Sequence, residues 1–124
     1  MSTQCGITFK SDKGYETIYV HSDGYPEYMW PMLVENYNSE ELAKSIVSLG
    51  DASYIDEKLE PTPGVVHTFD FPEKTVSVFY HRDRGEDFHN TIFSSKSELS
   101  SCYYYAYIWE NGCWNFYRGG RKIY

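Results

Sequence analysis

The run His81-Arg82-Asp83-Arg84-Gly85-Glu86-Asp87 holds the densest set of side chains able to do chemistry. Its opening His-Arg-Asp matches the start of a kinase catalytic loop. Phe88 stands where that loop needs an Asn, however, and neither a glycine-rich nucleotide loop nor an Asp-Phe-Gly is present. Two uses remain open. Arg82 and Arg84 can grip a carboxylate or phosphate bidentately, oriented by Asp83 or Glu86. Alternatively the charges pair with one another and close a turn at Gly85.

Metal and nucleophile chemistry have thinner support. His21-x-Asp23 and His81-x-Asp83 place ligand-type residues at two expected strand ends, where convergence would suit a metal-dependent hydrolase or nuclease. The spacings that mark such sites (His-Glu-x-x-His, Cys-x-x-Cys, a His pair at i, i+4) do not occur, so neither a resident metal nor a cofactor is expected. Cys5, Cys102 and Cys113 are an odd set, which suits a reducing compartment. There is no Gly-x-Ser-x-Gly, and no catalytic residue is assigned.

A third group is Ser22-Asp23-Gly24-Tyr25-Pro26-Glu27-Tyr28-Met29-Trp30, which joins a tight turn to a helix entrance. Its rings either cover a sheet edge or form the aromatic contact surface common at protein interfaces. The same rings stack nucleotide bases if an arginine stands beside them. The candidate binding residues are therefore Asp23, Tyr25, Glu27, Tyr28, Trp30, Arg82, Asp83, Arg84, Glu86 and Arg118. Where the three arginines point separates a ligand pocket from a structural ion-pair cluster.

The elements that must position these groups follow from pattern. Gln4–Lys10 alternates Cys5, Ile7 and Phe9, and Glu16–His21 is β-branched and aromatic, so the two form a hairpin. A helix is expected from about Trp30 to Tyr37, with Pro31 in its first turn. A second is expected after an Asn38 cap, with Leu42, Ile46 and Leu49 as its apolar stripe and Gly50 as its stop. Asp51–Gly64 reads as a long connection, His67–Phe71 as a short strand and Lys74–His81 as a strand. Arg82–Asn90 reads as a charged loop, Thr91–Phe93 as a strand and Ser95–Ser100 as a helical turn. Asn111-Gly112 marks a type I′ hairpin whose register sets Trp109 opposite Trp114, Tyr107 opposite Phe116 and Tyr105 opposite Arg118. The expected fold is a single α+β domain over residues 1–124. It is an antiparallel sheet of about five or six strands with two central helices packed on one face.

Composition narrows the function classes. The 124 residues carry a net charge of −7 and include 13 Tyr, seven Phe and three Trp. Between Asp12 and Glu73 stand 13 acids and three lysines; from Lys74 onward there are five acids and seven bases. The acidic stretch either presents charge to a basic partner or keeps the domain soluble. Direct nucleic-acid binding is disfavoured, because it needs clustered Lys and Arg. No apolar run is long enough to span a membrane, and the N-terminus lacks the apolar stretch of a signal peptide, so a cytoplasmic protein is expected.

The strings IYVHSDGYPEY (Ile18 to Tyr28), VENYNSEELAKSIVSLGD (Val34 to Asp51) and VFYHRDRGED (Val78 to Asp87) resemble a family of small proteins encoded by phages, prophages and other mobile elements. The order of the strings matches too, and the resemblance covers about two-thirds of the chain. This copy departs from the pattern at Ser22, where a Trp is common, and at Trp30, where a Gly is common. The resemblance carries over no catalytic residue. It implies a small phage-type accessory protein in the cytoplasm of the bacterial host, of a kind that often blocks a defence such as CRISPR–Cas or restriction. The leading expectation is thus an anti-CRISPR-like inhibitor that binds a host defence protein stoichiometrically through its acidic and aromatic surface, without enzymatic activity. The alternatives are a binder sequestering a small nucleotide signal, and the metal-dependent hydrolase. Oligomeric state is left open.

Overall fold

In the computed structural model, which describes residues 2–124, alternating apolar residues build the first hairpin as expected. Residue 1 of the expected 1–124 domain lies outside the described residues. Strand β1 (Cys5–Ser11) pairs antiparallel with β2 (Gly14–Val20), with Ile7 opposite Ile18 and Cys5 opposite Val20. The other face of this hairpin carries Thr8 and Thr17, whose buried hydroxyls share a 2.8 Å hydrogen bond. That bond meets the need of two polar groups taken out of water.

Helix α1 (Pro26–Asn36) begins at Pro26 rather than near Trp30. Pro26 takes the first helical position, where its missing N–H costs nothing, and Pro31 lies inside the helix. Only the bond to the Glu27 carbonyl is forgone at Pro31, while Met29, Leu33 and Tyr37 at i, i+4 and i+8 bury one stripe. Helix α2 (Glu40–Ser48) is capped by Ser39, not Asn38; Ser39 Oγ accepts from the Leu42 N–H at 3.2 Å. The face packed on the sheet is Ala43, Ile46 and Val47, and Leu42, expected in the stripe, is exposed.

The remaining elements are β3 (Ala52–Tyr54), β4 (Val78–Phe79), α3 (Tyr80–Arg84), β5 (Thr91–Phe93), α4 (Lys96–Cys102), β6 (Tyr105–Glu110), β7 (Cys113–Arg118) and β8 (Arg121–Lys122). The strands form one eight-stranded sheet in the order β4-β3-β2-β1-β6-β7-β8, with β5 also pairing β2. This corrects the expectation of an antiparallel sheet of five or six strands with two central helices. The sheet is mixed, since β1 runs parallel to β6 and β2 parallel to β3. The strands not foreseen, β3 and β8, are three and two residues long, too short to carry an alternation.

Two further expectations fall in the same region. Lys74–His81 is strand only at Val78–Phe79; the chain then winds into α3, which ends at Gly85 in the left-handed conformation (φ 78°). His67–Phe71 is loop, and α3 occupies the start of what read as a charged loop. The C-terminal hairpin has the expected register throughout, from Glu110 opposite Cys113 to Tyr105 opposite Arg118. Asn111 and Gly112 both have positive φ (59° and 77°), as a type I′ turn requires.

Apolar packing lies on both faces of the sheet. The larger cluster sits under α1 and α2 and includes Ile7, Ile18, Leu33, Ile46, Tyr107, Trp109, Trp114 and Phe116. The smaller places Leu99 of α4 against Tyr15, Ala106 and Ile108. Helices thus cover both faces, a second departure from the expected single layer. Among the described residues, no helix is long and apolar enough to cross a membrane.

Candidate functional site

Within the His81–Asp87 run, Arg82 and Asp83 pair with each other. Arg82 donates through Nε to Asp83 Oδ1 (2.8 Å) and through Nη2 to Asp83 Oδ2 (3.0 Å). Its remaining donors reach the carbonyls of Leu59 (2.6 Å) and Ser77 (3.0 Å), and its guanidinium lies 5.2 Å from the Phe79 ring centre. Asp83, with its side chain only 3% exposed, also accepts from the Phe79 N–H at 2.8 Å. Burial alone would raise its pKa, but the bonds from Arg82 and from the Phe79 N–H outweigh it and hold the carboxyl below its usual range.

His67 completes this clasp. Its Nδ1 accepts from the Glu73 N–H (3.0 Å), which leaves Nε2 as the donor toward Ser77 O (3.1 Å) and Asp83 Oδ2 (3.3 Å). Arg84 is exposed; it pairs with Glu86 at 3.3 Å and lies 4.5 Å from the Phe69 ring centre. Arg82 and Asp83 are therefore spent on fastening α3 to Leu59 and Ser77, while Arg84 and Glu86 stay at the surface.

The four ligand-type residues do not form a metal site. His21 Nδ1 shares a 2.6 Å bond with the Tyr19 hydroxyl, and His81 Nδ1 donates to Glu86 O at 2.7 Å. Asp23 is exposed, in a left-handed turn conformation (φ 59°). Among the described residues, no three His, Cys, Asp or Glu side chains stand together as a metal would need.

The helix entrance and the C-terminal hairpin do converge. Gly24 sits where the chain crosses β1: its N–H donates to Thr3 O (2.8 Å), and a Cβ there would lie 2.7 Å from Cys5 Cβ. The buried Tyr107 hydroxyl donates to Gly24 O at 2.9 Å, so the hairpin itself anchors the turn. Tyr28 is fixed by its hydroxyl on Ile55 O (2.7 Å), with its ring 6.2 Å from that of Tyr25. Burial first, then nearby Asp56, pushes the Tyr28 hydroxyl well above the usual tyrosine range, so it stays a donor.

Two residues further on, Trp30 packs against Phe116 and Tyr124 and lines with them a cleft of about 220 Å³. Its ring centre is 6.5 Å from Phe116 and 5.1 Å from Tyr124. Glu27 and Arg118 also line this cleft, which brings together three of the expected binding residues. Arg118 stands opposite Tyr105 across the hairpin, and Tyr105 lines a second hollow of about 420 Å³ with Thr3, Gln4, Cys102, Tyr103 and Tyr104. That hollow lies where the parallel strands β1 and β6 begin. Arg82 and Arg84 are at the other end of the sheet order, so the three arginines form no common pocket.

Sequence reasoning missed Ile123 and Tyr124 as cleft residues. The one readable signal for their return is Gly119-Gly120, whose positive φ values (59° and 83°) turn the chain back on β7. Comparison with protein-family models, curated proteins and solved structures gives no match.

Proposed function

We propose that this chain is a binding protein that acts by occupying a partner, with the Trp30–Arg118 cleft as its anchor point and no chemistry of its own. The observation that carries the reading is the convergence of Glu27, Trp30 and Arg118 on one open cleft, while Arg82 and Asp83 are consumed by the fold. A volume of about 220 Å³ falls short of the roughly 300–1,000 Å³ usual for small-molecule pockets. It suits one inserted side chain ringed by Trp, Tyr and Arg, the residue types that dominate binding energy at protein interfaces.

Joined to the resemblance of the Asp23–Tyr28 and Tyr80–Glu86 strings to phage-encoded accessory proteins, this supports an inhibitor of a host defence system in the bacterial cytoplasm. Affinity purification from a bacterial lysate with the parent chain and with Trp30→Ala tests it. A specific partner retained by the parent and lost by the variant is expected; equal recovery by both would remove the cleft from the interface.

A second reading has one observation behind it. Arg118 lines the cleft with the Trp30 and Tyr124 rings and stands opposite Tyr105, which lines the 420 Å³ hollow, an arrangement that can stack a base and hold a phosphate. Thermal stabilisation by cyclic or linear nucleotides, abolished in Arg118→Ala, would favour this reading over a protein partner.

A further inference from the structure

The segment after β7 folds back along it and forms one wall of the cleft. Beyond the Gly119-Gly120 turn, Arg121 and Lys122 pair with Arg118 and Tyr117. The Ile123 N–H then donates to Phe116 O (2.8 Å), and the Phe116 N–H donates to Tyr124 O (3.1 Å). The Tyr124 ring lies 5.1 Å from Trp30 and 5.9 Å from Phe116.

This segment is held weakly for what it covers. All four of its residues are exposed, Tyr124 at 58%, while Phe116 beneath is 1% exposed. The first rung of its ladder sets Arg118 directly opposite Arg121, and like charges in that position oppose pairing. Beneath it lie the outward N–H and C=O of Phe116, two aromatic rings and a cation, which are the components an added strand uses.

We propose that Arg121–Tyr124 is a displaceable strap, and that an extended segment of the partner protein takes its place on β7 with a carboxylate opposite Arg118 and an aromatic ring over Trp30. The strap's own Ile123-Tyr124 pair shows the shape that fits, and replacing the Arg–Arg rung by an acid–Arg rung turns a repulsion into an attraction. The proposal rests on the cleft reading above and adds how the cleft opens and what enters it.

Tyr117 and Lys122 are directly opposed, so Tyr117→Cys with Lys122→Cys, in a Cys102→Ser and Cys113→Ser background, gives a strap that oxidation locks and reduction frees. The probe is a capped Glu-Lys-Ile-Tyr peptide, followed through the Trp30 indole NMR signal. The reduced protein is expected to bind it about tenfold more tightly than the oxidised one. A peptide with Arg in place of Glu should bind about fivefold more weakly. Tyr124→Ala, which loosens the strap without a new bond, should bind the Glu peptide more tightly than the parent does. Equal affinity of oxidised and reduced protein, absence of binding to the reduced protein, or no gain in Tyr124→Ala would overturn the strap. A lysate partner kept by the oxidised protein but lost by Trp30→Ala would overturn the strap alone and leave the cleft standing.

Discussion

Arg82 and Asp83, neighbours in the chain, are joined twice: Nε to Oδ1 at 2.8 Å and Nη2 to Oδ2 at 3.0 Å, with the carboxylate buried. The guanidinium then spans to the carbonyls of Leu59 and Ser77, tying α3 to residues that precede it by 23 and by five positions. A pair that the sequence allows either as a ligand clamp or as an ion pair is a clasp between loops.

Removing half of this clasp should be costly. Arg82→Ala removes the counter-charge of a buried carboxylate and the donor to the Leu59 carbonyl, and should lower stability by about 3 kcal/mol. Arg84→Ala breaks only an exposed pair with Glu86 and should change stability by less than about 0.5 kcal/mol. Urea denaturation of the two variants measures the contrast; similar losses would contradict the assignment.

Stability should also fall at both ends of the pH range. The Asp83 pKa is depressed on folding, as burial that raises it is outweighed by hydrogen bonds from Arg82 and Phe79. Its contribution is complete above the unfolded value of about 3.9 and is lost as pH falls through the lower folded value. Lys96 moves the other way, raised first by its bond to Glu110, against burial, with the Tyr117 hydroxyl adding to the rise. That contribution is complete below the unfolded value of about 10.4 and is lost as pH rises through the higher folded one. Melting curves across pH should show a shallower acid limb in Asp83→Asn and a shallower alkaline limb in Lys96→Met.

Gly24 should tolerate no side chain. A Cβ there meets Cys5 Cβ at 2.7 Å and the Gln4 carbonyl carbon at 2.8 Å, backbone that cannot swing away. Gly24→Ala should cost about 3 kcal/mol. Gly64 has φ 82° but open space around it, so Gly64→Ala should cost only the left-handed strain of about 1 kcal/mol. Calorimetry that ranked them in the reverse order would show that the crossing at β1 yields.

In the cleft, energy and stability should separate. Arg118 is exposed and makes no ion pair among the described residues, so Arg118→Ala should leave the melting temperature within experimental error while slowing partner capture. Trp30 is half-buried against Phe116, and Trp30→Ala should weaken binding by about 2 kcal/mol while also costing about 1 kcal/mol of stability. A partner affinity untouched by both variants would move the interface elsewhere.

Local chemistry made part of this architecture readable in the chain. Asn111-Gly112 admits positive φ at two successive positions, and a two-residue loop then leaves one register, so every pair from Trp109–Trp114 to Tyr105–Arg118 follows. Alternation in Cys5–Phe9 and a serine-rich, acidic entry to α2 likewise act within a few residues. Pro31 misled the reading because a single lost hydrogen bond is outweighed by the buried stripe of Met29, Leu33 and Tyr37, a stripe that exists only against the sheet.

What the sequence by itself determined is the β1–β2 and β6–β7 hairpins, helical segments within Pro26–Asn36 and Glu40–Ser48, and the residue types available for binding. Which of those residues meet was decided by the tertiary structure alone. The parallel pairing of β1 with β6 joins segments about a hundred residues apart, and it brings the Asp23–Trp30 turn over the end of the last hairpin. Such pairing is paid for by burial summed over both cores rather than by any local preference, so no short stretch of sequence carries its signature. The same summation set Arg82 into a clasp and left Arg118 beside Trp30.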